Sequence, residues 1–326
     1  MTIKINNYFT IIIPSKKYDK NLSNCITYIR KYYKKTELFI LLDEKTSKKF
    51  DKNTSIFYFE NKNIGFKRNF AAKKSSKEYL VFIDSDAYPK KGWLENFLNI
   101  LLKKKKLSAI GGPNLSPPTK NSEKKIVSKI RKLPFVTLNN FIKSKSSSRF
   151  TDFLPSCNLC VKRKDYLNVG GMDNKIVAGE EIRLFYYLNK NKKKIYFSQN
   201  SPVYHIDRNL INFLRQRMTY GTEANLFLKY PNKQTFLFFL SILPVFNFLF
   251  VILSIPFYET SFFKLNTICL FFTFILSIFY AIKISHLKEF FKYLKAILMS
   301  IYGPGIGFIL QFFTKESDQK RRYRQV

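Results

Sequence analysis

The chain has 326 residues, enough for one large or two smaller domains with a well-buried core. Its formal net charge of +35 arises from 57 Lys and Arg against 22 Asp and Glu, with the lysines spread over the whole chain. No basic stripe with interleaved stacking aromatics is visible, so we expect no nucleic-acid partner. Charge of this sign instead suits a protein that faces anionic lipid and handles diphosphate-bearing substrates.

The four cysteines, at positions 25, 157, 160 and 269, do not form the dense pattern of a disulfide-stabilised protein. Cys157 and Cys160 have C-x-x-C spacing, but no second pair or nearby histidine completes a zinc site. We interpret them as small buried residues on a strand. A reducing, cytoplasmic environment fits, and polar residues 1–7 lead into the first strand without the apolar stretch of a secretory signal.

Strand and helix patterns alternate over the first hundred residues, which predicts a mostly parallel sheet with helices on both faces. Residues 116–149 mix Lys, Ser and Pro around an apolar patch at 133–141, and we expect a mobile, partly helical insert there. Strands are predicted at 9–13, 37–42, 55–59, 79–83, 107–112, 154–161, 194–197 and 203–205, and helices near 20–34, 65–76, 91–104, 178–189 and 210–228.

An acidic pair, Asp84 and Asp86, directly follows the apolar run at 79–83, which has the composition of a fully buried strand. Tyr88 and Pro89 then prevent the strand from continuing. Ligands of open α/β sheets bind at the carboxyl ends of the strands. Two carboxylates at i and i+2 in that place can face one divalent cation that carries a diphosphate. Carboxylates suit Mg²⁺ or Mn²⁺.

The motifs around this pair resemble family 2 glycosyltransferases of the GT-A type, over about residues 8–225. Six short segments follow in that family's order: FTIIIPS at 9–15, ELFILLD at 37–43, NIGFKRNFAA at 63–72, GGMD at 170–173, GEE at 179–181 and VYH at 203–205. The resemblance implies a Rossmann-like GT-A domain, predicted to span residues 1–230. It also implies an inverting, metal-dependent hexosyltransferase that uses a nucleotide sugar, with a UDP-sugar as the favoured donor.

The same resemblance assigns roles to individual residues. His205 is the expected third metal contact beside Asp84 and Asp86. Glu181 occupies the position of the aspartate that is commonly the catalytic base in this family. Whether Glu180 or Glu181 takes the proton stays open. The donor nucleotide is expected to lie against Pro14, Ser15, Asp43, Asn63, Gly65, Arg68, Asp84 and Ser85.

A basic helix around Arg215 and Arg217 matches the helix that lies near the acceptor or the diphosphate in this family. Asn158 is also expected to contact the acceptor or the diphosphate. Processive polymer synthases carry a tryptophan after such an arginine, whereas this chain has Met218 and Thr219. The sequence therefore favours a single sugar addition.

The last third, residues 231–326, is predicted to be a helical membrane region. Residues 235–258 carry no charge, and 262–282 are nearly as apolar, so each is long enough to cross roughly 30 Å of hydrocarbon. Residues 285–295 alternate apolar and basic side chains, as in an interfacial amphipathic helix. Residues 296–313 are apolar but interrupted at Gly303, Pro304 and Gly305, which predicts a re-entrant segment or a third span.

Basic clusters at 283–295 and 320–324 should stay in the cytoplasm. With two full spans, the catalytic domain and the tail both face that side. We therefore expect a multi-pass enzyme of the inner or cytoplasmic membrane that acts on a lipid-linked or cell-surface glycan acceptor in cell-envelope polysaccharide synthesis. Two alternatives stay open, a catalytically inactive relative that serves as a membrane partner subunit and a nucleotidyltransferase.

Overall fold

The computed structural model describes residues 5–60, 62–134, 136, 147–176 and 178–313. These form two compact units, one from Met1–Pro117 and Asn140–Ile206 and the other from Pro118–Asn139 and Asp207–Val326. The chain thus leaves the first unit at residue 117, returns to it at 140 and leaves it again at 206. The basic cluster at 320–324 and part of the apolar patch at 133–141 lie outside the described residues.

The first unit is built on an eight-stranded sheet with helices packed on both faces. Its elements are β1 (Phe9–Pro14), α1 (Lys20–Tyr32), β2 (Glu37–Leu42), β3 (Thr54–Tyr58), α2 (Ile64–Lys74), β4 (Tyr79–Ile83), β5 (Ala87–Pro89), α3 (Trp93–Lys103), β6 (Leu107–Gly111), β7 (Asn114–Leu115), β8 (Arg149–Phe150), β9 (Asn158–Lys162), α5 (Arg163–Asn168), α6 (Glu181–Lys190), β10 (Lys194–Phe197) and β11 (Val203–His205). Helix α4 (Ser122–Ile130) belongs to the second unit.

The strand order is β3-β2-β1-β4-β9-β6-β10-β8, and a second sheet has the order β5-β11-β7. Strands β1 to β4 are mutually parallel, whereas β9 runs antiparallel to both β4 and β6. The chain moves outward from β1 through β2 to β3 and then returns to β4 on the other side of β1. The carboxyl ends of β1 and β4 therefore flank a switch point of the kind where such sheets bind ligands.

Both faces of the central strands are buried, which explains their continuous apolar runs. Ile11 and Ile13 of β1 face one core together with side chains of α1 and α3, and Ile12 faces the other core. This alternation follows from the period-two geometry of a strand. The strand predicted at 154–161 begins only at Asn158, because the preceding Pro155 cannot donate to the sheet.

The second unit is helical. It contains α4, α7 (Leu210–Thr222), α8 (Leu226–Lys229), α9 (Lys233–Leu240), α10 (Leu243–Leu253), α11 (Ser261–Ile284) and α12 (Phe290–Leu310). The apolar face of α4, formed by Ile126, Val127 and Ile130, packs into a cluster with residues of α7, α11 and α12. The helical part of the predicted insert thus has a defined packing partner.

Helix α12 packs closely along α7 because glycines allow the two backbones to approach. A Cβ atom on Gly221 would lie 1.7 Å from the carbonyl oxygen of Pro304, and one on Gly307 would lie 2.0 Å from that of Met218. The helix continues without a break through Gly303, Pro304 and Gly305, which differs from the predicted interruption. Close packing against α7 compensates for the backbone hydrogen bond that the proline removes.

The predicted amphipathic helix at 285–295 is not a separate element. A short 3-10 turn, Leu287–Glu289, leads directly into α12. By length and composition, three helical segments are able to cross a membrane, Lys233–Leu253, Ser261–Ile284 and Leu287–Phe313. The third is 39% buried within the protein, against 11% for each of the others.

The first structural unit ends at residue 206, before α7. The catalytic domain was predicted to extend to residue 230, and that boundary stays a prediction.

Candidate active site

The predicted metal residues lie together at the end of β4. Asp84 and Asp86 follow that strand, and β5 turns back to pair antiparallel with β11, which sets Ala87 opposite His205. The His205 Nε2 atom lies 3.3 Å from Asp86 Oδ1 and 3.6 Å from Asp84 Oδ2. A backbone hydrogen bond of 3.0 Å from the Ile206 amide to the Asp86 carbonyl holds the two segments together.

These three side chains have the donor chemistry of a divalent cation site, and both carboxylates lie close to the imidazole of His205. Two adjacent ligands at about 2.1 Å from one octahedral ion lie about 3 Å from each other. The separations of Asp84 and Asp86 from His205 are close to that value. Carboxylate oxygens together with one imidazole nitrogen fit Mg²⁺ or, better, Mn²⁺.

Arg68, on α2, connects the acidic pair to the acidic loop before α6. Its Nη2 atom donates to Asp84 Oδ1 at 2.8 Å, and its Nη1 atom donates to Glu180 Oε1. The guanidinium is 1% exposed. Burial lowers the pKa of Arg68, but the carboxylates of Glu180 and Asp84 outweigh it and the pKa is raised. Arg68 was expected beside the nucleotide, whereas its contacts join the metal and base candidates.

Glu180 and Glu181 occupy different electrostatic environments although they are neighbours. Burial raises the pKa of Glu180, and the Arg68 guanidinium opposes this rise. Burial, and then the nearby charge of Glu180, raises the pKa of Glu181 to about 8. Within the described part of the chain, no cation forms an ion pair with Glu181. Glu181 is thus the acid whose proton is exchangeable near neutral pH.

Two residues expected at the donor instead contact the loop that carries the acids. The Asn63 Nδ2 atom donates to the carbonyl of Asn174 at 3.2 Å. A Cβ atom on Gly65 would lie 2.1 Å from the carbonyl oxygen of Asp173, so only glycine allows this approach. The Asp173 amide in turn donates to the Glu180 carbonyl at 2.9 Å. Asn63 and Gly65 therefore position the acidic loop against α2.

Asp43 and Ser15 lie at the ends of β2 and β1, as expected, and a lysine joins them. The Lys67 Nζ atom lies 2.9 Å from Asp43 Oδ1 and donates to the Ser15 carbonyl at 2.8 Å. Burial lowers the pKa of Lys67. Pro14 is the last residue of β1, and Ser85 is half-buried between the two aspartates. Five of the residues predicted to bind the nucleotide sugar thus lie at the ends of β1, β2 and β4. They are Pro14, Ser15, Asp43, Asp84 and Ser85.

Asn158 is completely buried and its amide is engaged within the protein. Its Nδ2 atom donates to the carbonyls of Pro113 and Ser201, and its Oδ1 atom accepts from Trp93 Nε1 at 2.8 Å. These bonds tie β9 to its neighbours. The contacts of Asn158 are thus those of a structural residue, and its assignment to the acceptor or diphosphate stays untested.

Arg215 and Arg217 belong to the second unit. Arg215 is exposed, whereas Arg217 is buried and donates to the carbonyls of Ser300 and Val136 at 3.2 and 2.9 Å. Burial lowers the pKa of Arg217 to about 10. Among the described residues no carboxylate pairs with it; its guanidinium contacts two backbone carbonyls and lies 5.8 Å from the centroid of the Tyr220 ring.

Residues 10–226, more than half of the chain, match the family described as Glycosyltransferase like family 2. The chain belongs to this family. The GT-A fold and the order of the site motifs agree with that membership. A comparison of the sequence with curated proteins found no match.

Two solved structures are similar to this family 2 glycosyltransferase. The mannosyltransferase PcManGT from Pyrobaculum calidifontis, in complex with GDP-Man and Mn²⁺, is 11% identical with a TM-score of 0.57. That alignment covers 93% of this chain and 87% of the other. GalNAc-T7 with UDP, GalNAc and Mn²⁺ is 13% identical with a TM-score of 0.47, over 67% of this chain and only 50% of that one. PcManGT supports the shared fold.

Two residues close to the candidate site were not predicted from the sequence. Lys67 was passed over as one lysine among many, although it lies one helical position before Arg68 in a motif already recognised. Cys157 was interpreted as a buried strand residue, yet it precedes β9 and its thiol lies within 4.8 Å of the ligand atoms of Asp84 and His205. Cys157 is close to Asp84 because β9 pairs antiparallel with β4, and the sequence does not reveal this pairing.

Proposed function

We propose that the protein is a membrane-anchored, inverting glycosyltransferase that transfers one sugar from a nucleotide-sugar donor to a lipid-linked or cell-surface glycan acceptor. The observation that carries this proposal is the environment of the Glu181 carboxyl group. A buried acid with a pKa of about 8 lies in the electrostatic field of Arg68, Glu180 and Asp84. Such an acid is suited to accept a proton from a sugar hydroxyl near neutral pH.

The proposed reaction is a single displacement. The acceptor oxygen forms a bond to the anomeric carbon while the bond from that carbon to the diphosphate oxygen breaks, and the diphosphate leaves with the electron pair. Glu181 takes the hydroxyl proton. A divalent cation held by Asp84, Asp86 and His205 would neutralise the departing diphosphate as a Lewis acid. Attack from the face opposite the leaving group inverts the anomeric configuration.

Arg68 positions both the metal-binding residues and the proposed base. By donating to Asp84 Oδ1, it leaves Asp84 Oδ2 directed toward His205. By pairing with Glu180, it neutralises one of the two adjacent acids and leaves Glu181 as the base. The proposed donor pocket continues along Lys67, Asp43 and Ser15. PcManGT, which shares this fold, forms a complex with GDP-Man and Mn²⁺, and this supports a nucleoside-diphosphate sugar and a manganese ion here.

We propose that the acceptor carries an anionic group recognised by α7. The buried charge of Arg217, without a carboxylate among the described residues, favours a phosphate or diphosphate ligand. Exposed Arg215 lies on the same helix. Met218 and Thr219 follow Arg217 where processive synthases have tryptophan, so we propose a single addition rather than polymer synthesis.

The proposed location is the cytoplasmic face of the inner membrane. Helix α11 exposes apolar side chains along its length, as lipid-facing helices do, with Ile268, Phe272 and Ile282 all more than 60% exposed. Helix α12 instead packs along α7, which carries two arginines and is not suited to hydrocarbon. We therefore propose that Lys233–Leu253 and Ser261–Ile284 cross the bilayer and that α12 stays with α7.

A screen of purified full-length protein for hydrolysis of nucleotide sugars with added Mn²⁺ tests this function. We expect one nucleotide sugar to be hydrolysed, and EDTA to abolish the reaction. Hydrolysis that is insensitive to EDTA would contradict metal dependence. No turnover of any donor, with or without membrane lipid extract as acceptor, would favour an inactive partner subunit.

A further inference from the structure

Three kinds of metal-ligating side chain converge at the end of β4. The carboxylate of Asp84, the imidazole of His205 and the thiol of Cys157 have ligand atoms within 4.8 Å of one another. All three side chains are partly exposed, so ions can reach them from solvent. Asp86 adds a second carboxylate, 3.3 Å from the His205 Nε2 atom.

The sheet register places Cys157 beside the acidic pair. In the antiparallel pairing of β4 and β9, Ile83 lies opposite Asn158. The residue that follows Ile83 is therefore next to the residue that precedes Asn158, and these are Asp84 and Cys157. The buried amide of Asn158 is fixed by three hydrogen bonds, so the position of Cys157 is fixed as well.

We propose that Cys157 is a soft ligand of the divalent cation site and makes this site select thiophilic ions, Zn²⁺ above all, over Mg²⁺ and Mn²⁺. The inference rests on the proposed metal-dependent function. Thiolate and imidazole suit Zn²⁺, whereas carboxylates suit the harder ions. Zn²⁺ binding would require deprotonation of the thiol, with its proton released to solvent.

This ligand set predicts two metal-bound forms of the protein, of which only one can bind the diphosphate. A harder ion held by Asp84, Asp86 and His205 keeps coordination positions for a diphosphate. Zn²⁺ prefers four ligands in a tetrahedral arrangement. Asp84, His205 and Cys157 have ligand atoms within 4.8 Å of one another, and Asp86, 3.3 Å from the His205 Nε2 atom, is the proposed fourth ligand. With all four positions filled by protein, the diphosphate has no place to bind. We therefore expect Zn²⁺ to hold the enzyme in an inactive form.

Titration of the purified full-length protein with Co²⁺ tests the ligand directly, without any turnover. We expect a thiolate-to-cobalt charge-transfer band in the near ultraviolet for the wild-type protein and none for Cys157→Ser. The matched controls are Cys160→Ala, three residues further along β9, and Cys269→Ser on α11; both should retain the band. Zn²⁺ affinity should fall about tenfold or more in Cys157→Ser, since even second-shell changes reach that size.

A second measurement uses the unmodified protein and so does not depend on how a variant folds. Alkylation of Cys157 by N-ethylmaleimide, followed by peptide mass spectrometry, should be slowed by Zn²⁺ or Cd²⁺ and much less by Mg²⁺. Absence of the cobalt band, or alkylation at equal rates with and without Cd²⁺, would overturn the proposal.

Mn²⁺ binding, followed by electron paramagnetic resonance, separates this proposal from the proposed function. If Asp86→Ala removes Mn²⁺ binding while wild-type protein lacks the cobalt band, the metal site stands and Cys157 is not a ligand. If Asp86→Ala binds Mn²⁺ like the wild type, the proposed function loses its metal site.

Discussion

Replacement of Glu181 by Gln removes the acid proposed as the base while nearly conserving its volume. A positioned general base contributes about 10²–10⁴-fold to the rate, so kcat for transfer should fall by that factor. The dissociation constant of the donor should change little, because a base acts in the transition state. The assay is sugar transfer or donor hydrolysis at saturating donor, with calorimetric titration of the nucleotide as the binding readout.

The pKa of Glu181 gives this prediction a second, pH-dependent part. With a pKa of about 8, only about one-tenth of the side chain is ionised at pH 7. Rising pH removes the proton and generates the base. Wild-type kcat/KM should therefore increase about tenfold per pH unit below pH 7, about fivefold from pH 7 to pH 8, and level off above pH 8. The Glu181→Gln variant lacks this group, and its residual activity should be nearly flat over the same range.

Glu180→Gln is the matched control for this experiment. The change takes a carboxylate from the buried guanidinium of Arg68, and breaking a buried ion pair costs up to about 3–5 kcal/mol of stability. Its expected signature is thus a lower unfolding temperature, whereas Glu181→Gln should unfold near the wild-type temperature. The reasoning is refuted if Glu181→Gln stays active and Glu180→Gln is well folded but inactive, since the two roles are then exchanged.

Three further predictions address the metal, the donor and the membrane. Asp86→Ala should abolish transfer and metal-dependent nucleotide binding with an unchanged circular dichroism spectrum; near-normal turnover would contradict the metal assignment. Lys67→Met removes the ion pair with Asp43 and leaves that carboxylate without its cation, so nucleotide affinity measured by calorimetry should fall about tenfold or more. A cysteine introduced at Glu259 in intact cells should react with an impermeant external maleimide and one at Lys288 should not, since basic segments stay in the cytoplasm. Labelling of position 288 from outside would favour a third full span.

The sequence located the central strands to within a few residues because their burial on both faces produces uninterrupted apolar runs. Thus β4 was predicted at 79–83, where it lies, and the acidic pair follows directly. The meeting of His205 with Asp84 and Asp86 was anticipated only from the order of family motifs. Its physical cause is the pairing of β5 with β11. The strand at 203–205 was predicted, but the three-residue strand Ala87–Pro89 that pairs with it was not.

Contacts between distant segments were the part that the sequence did not disclose. The apolar residues on one face of α4 indicate that this face must pack, but not that its partners are α7, α11 and α12. Arg68 and Lys67 are adjacent in the chain and extend to different acids, because successive positions on a helix point about 100° apart. Gly303, Pro304 and Gly305 predict a break by intrinsic propensity, and tertiary packing overrides that preference.

The apolar face of α4 also constrains the order of events on the ribosome. Its partner Ile297 is synthesised about 170 residues after Val127, a delay of roughly ten seconds or more at ordinary translation rates. Strands β8 to β11 are made in the meantime, so the first unit can close its sheet while α4 still lacks its partners. A nascent chain that stops before α12 must leave Ile126, Val127 and Ile130 without α12 as cover. Soluble versions of this enzyme made by cutting at residue 230 should therefore aggregate unless α4 is deleted or its face is made polar.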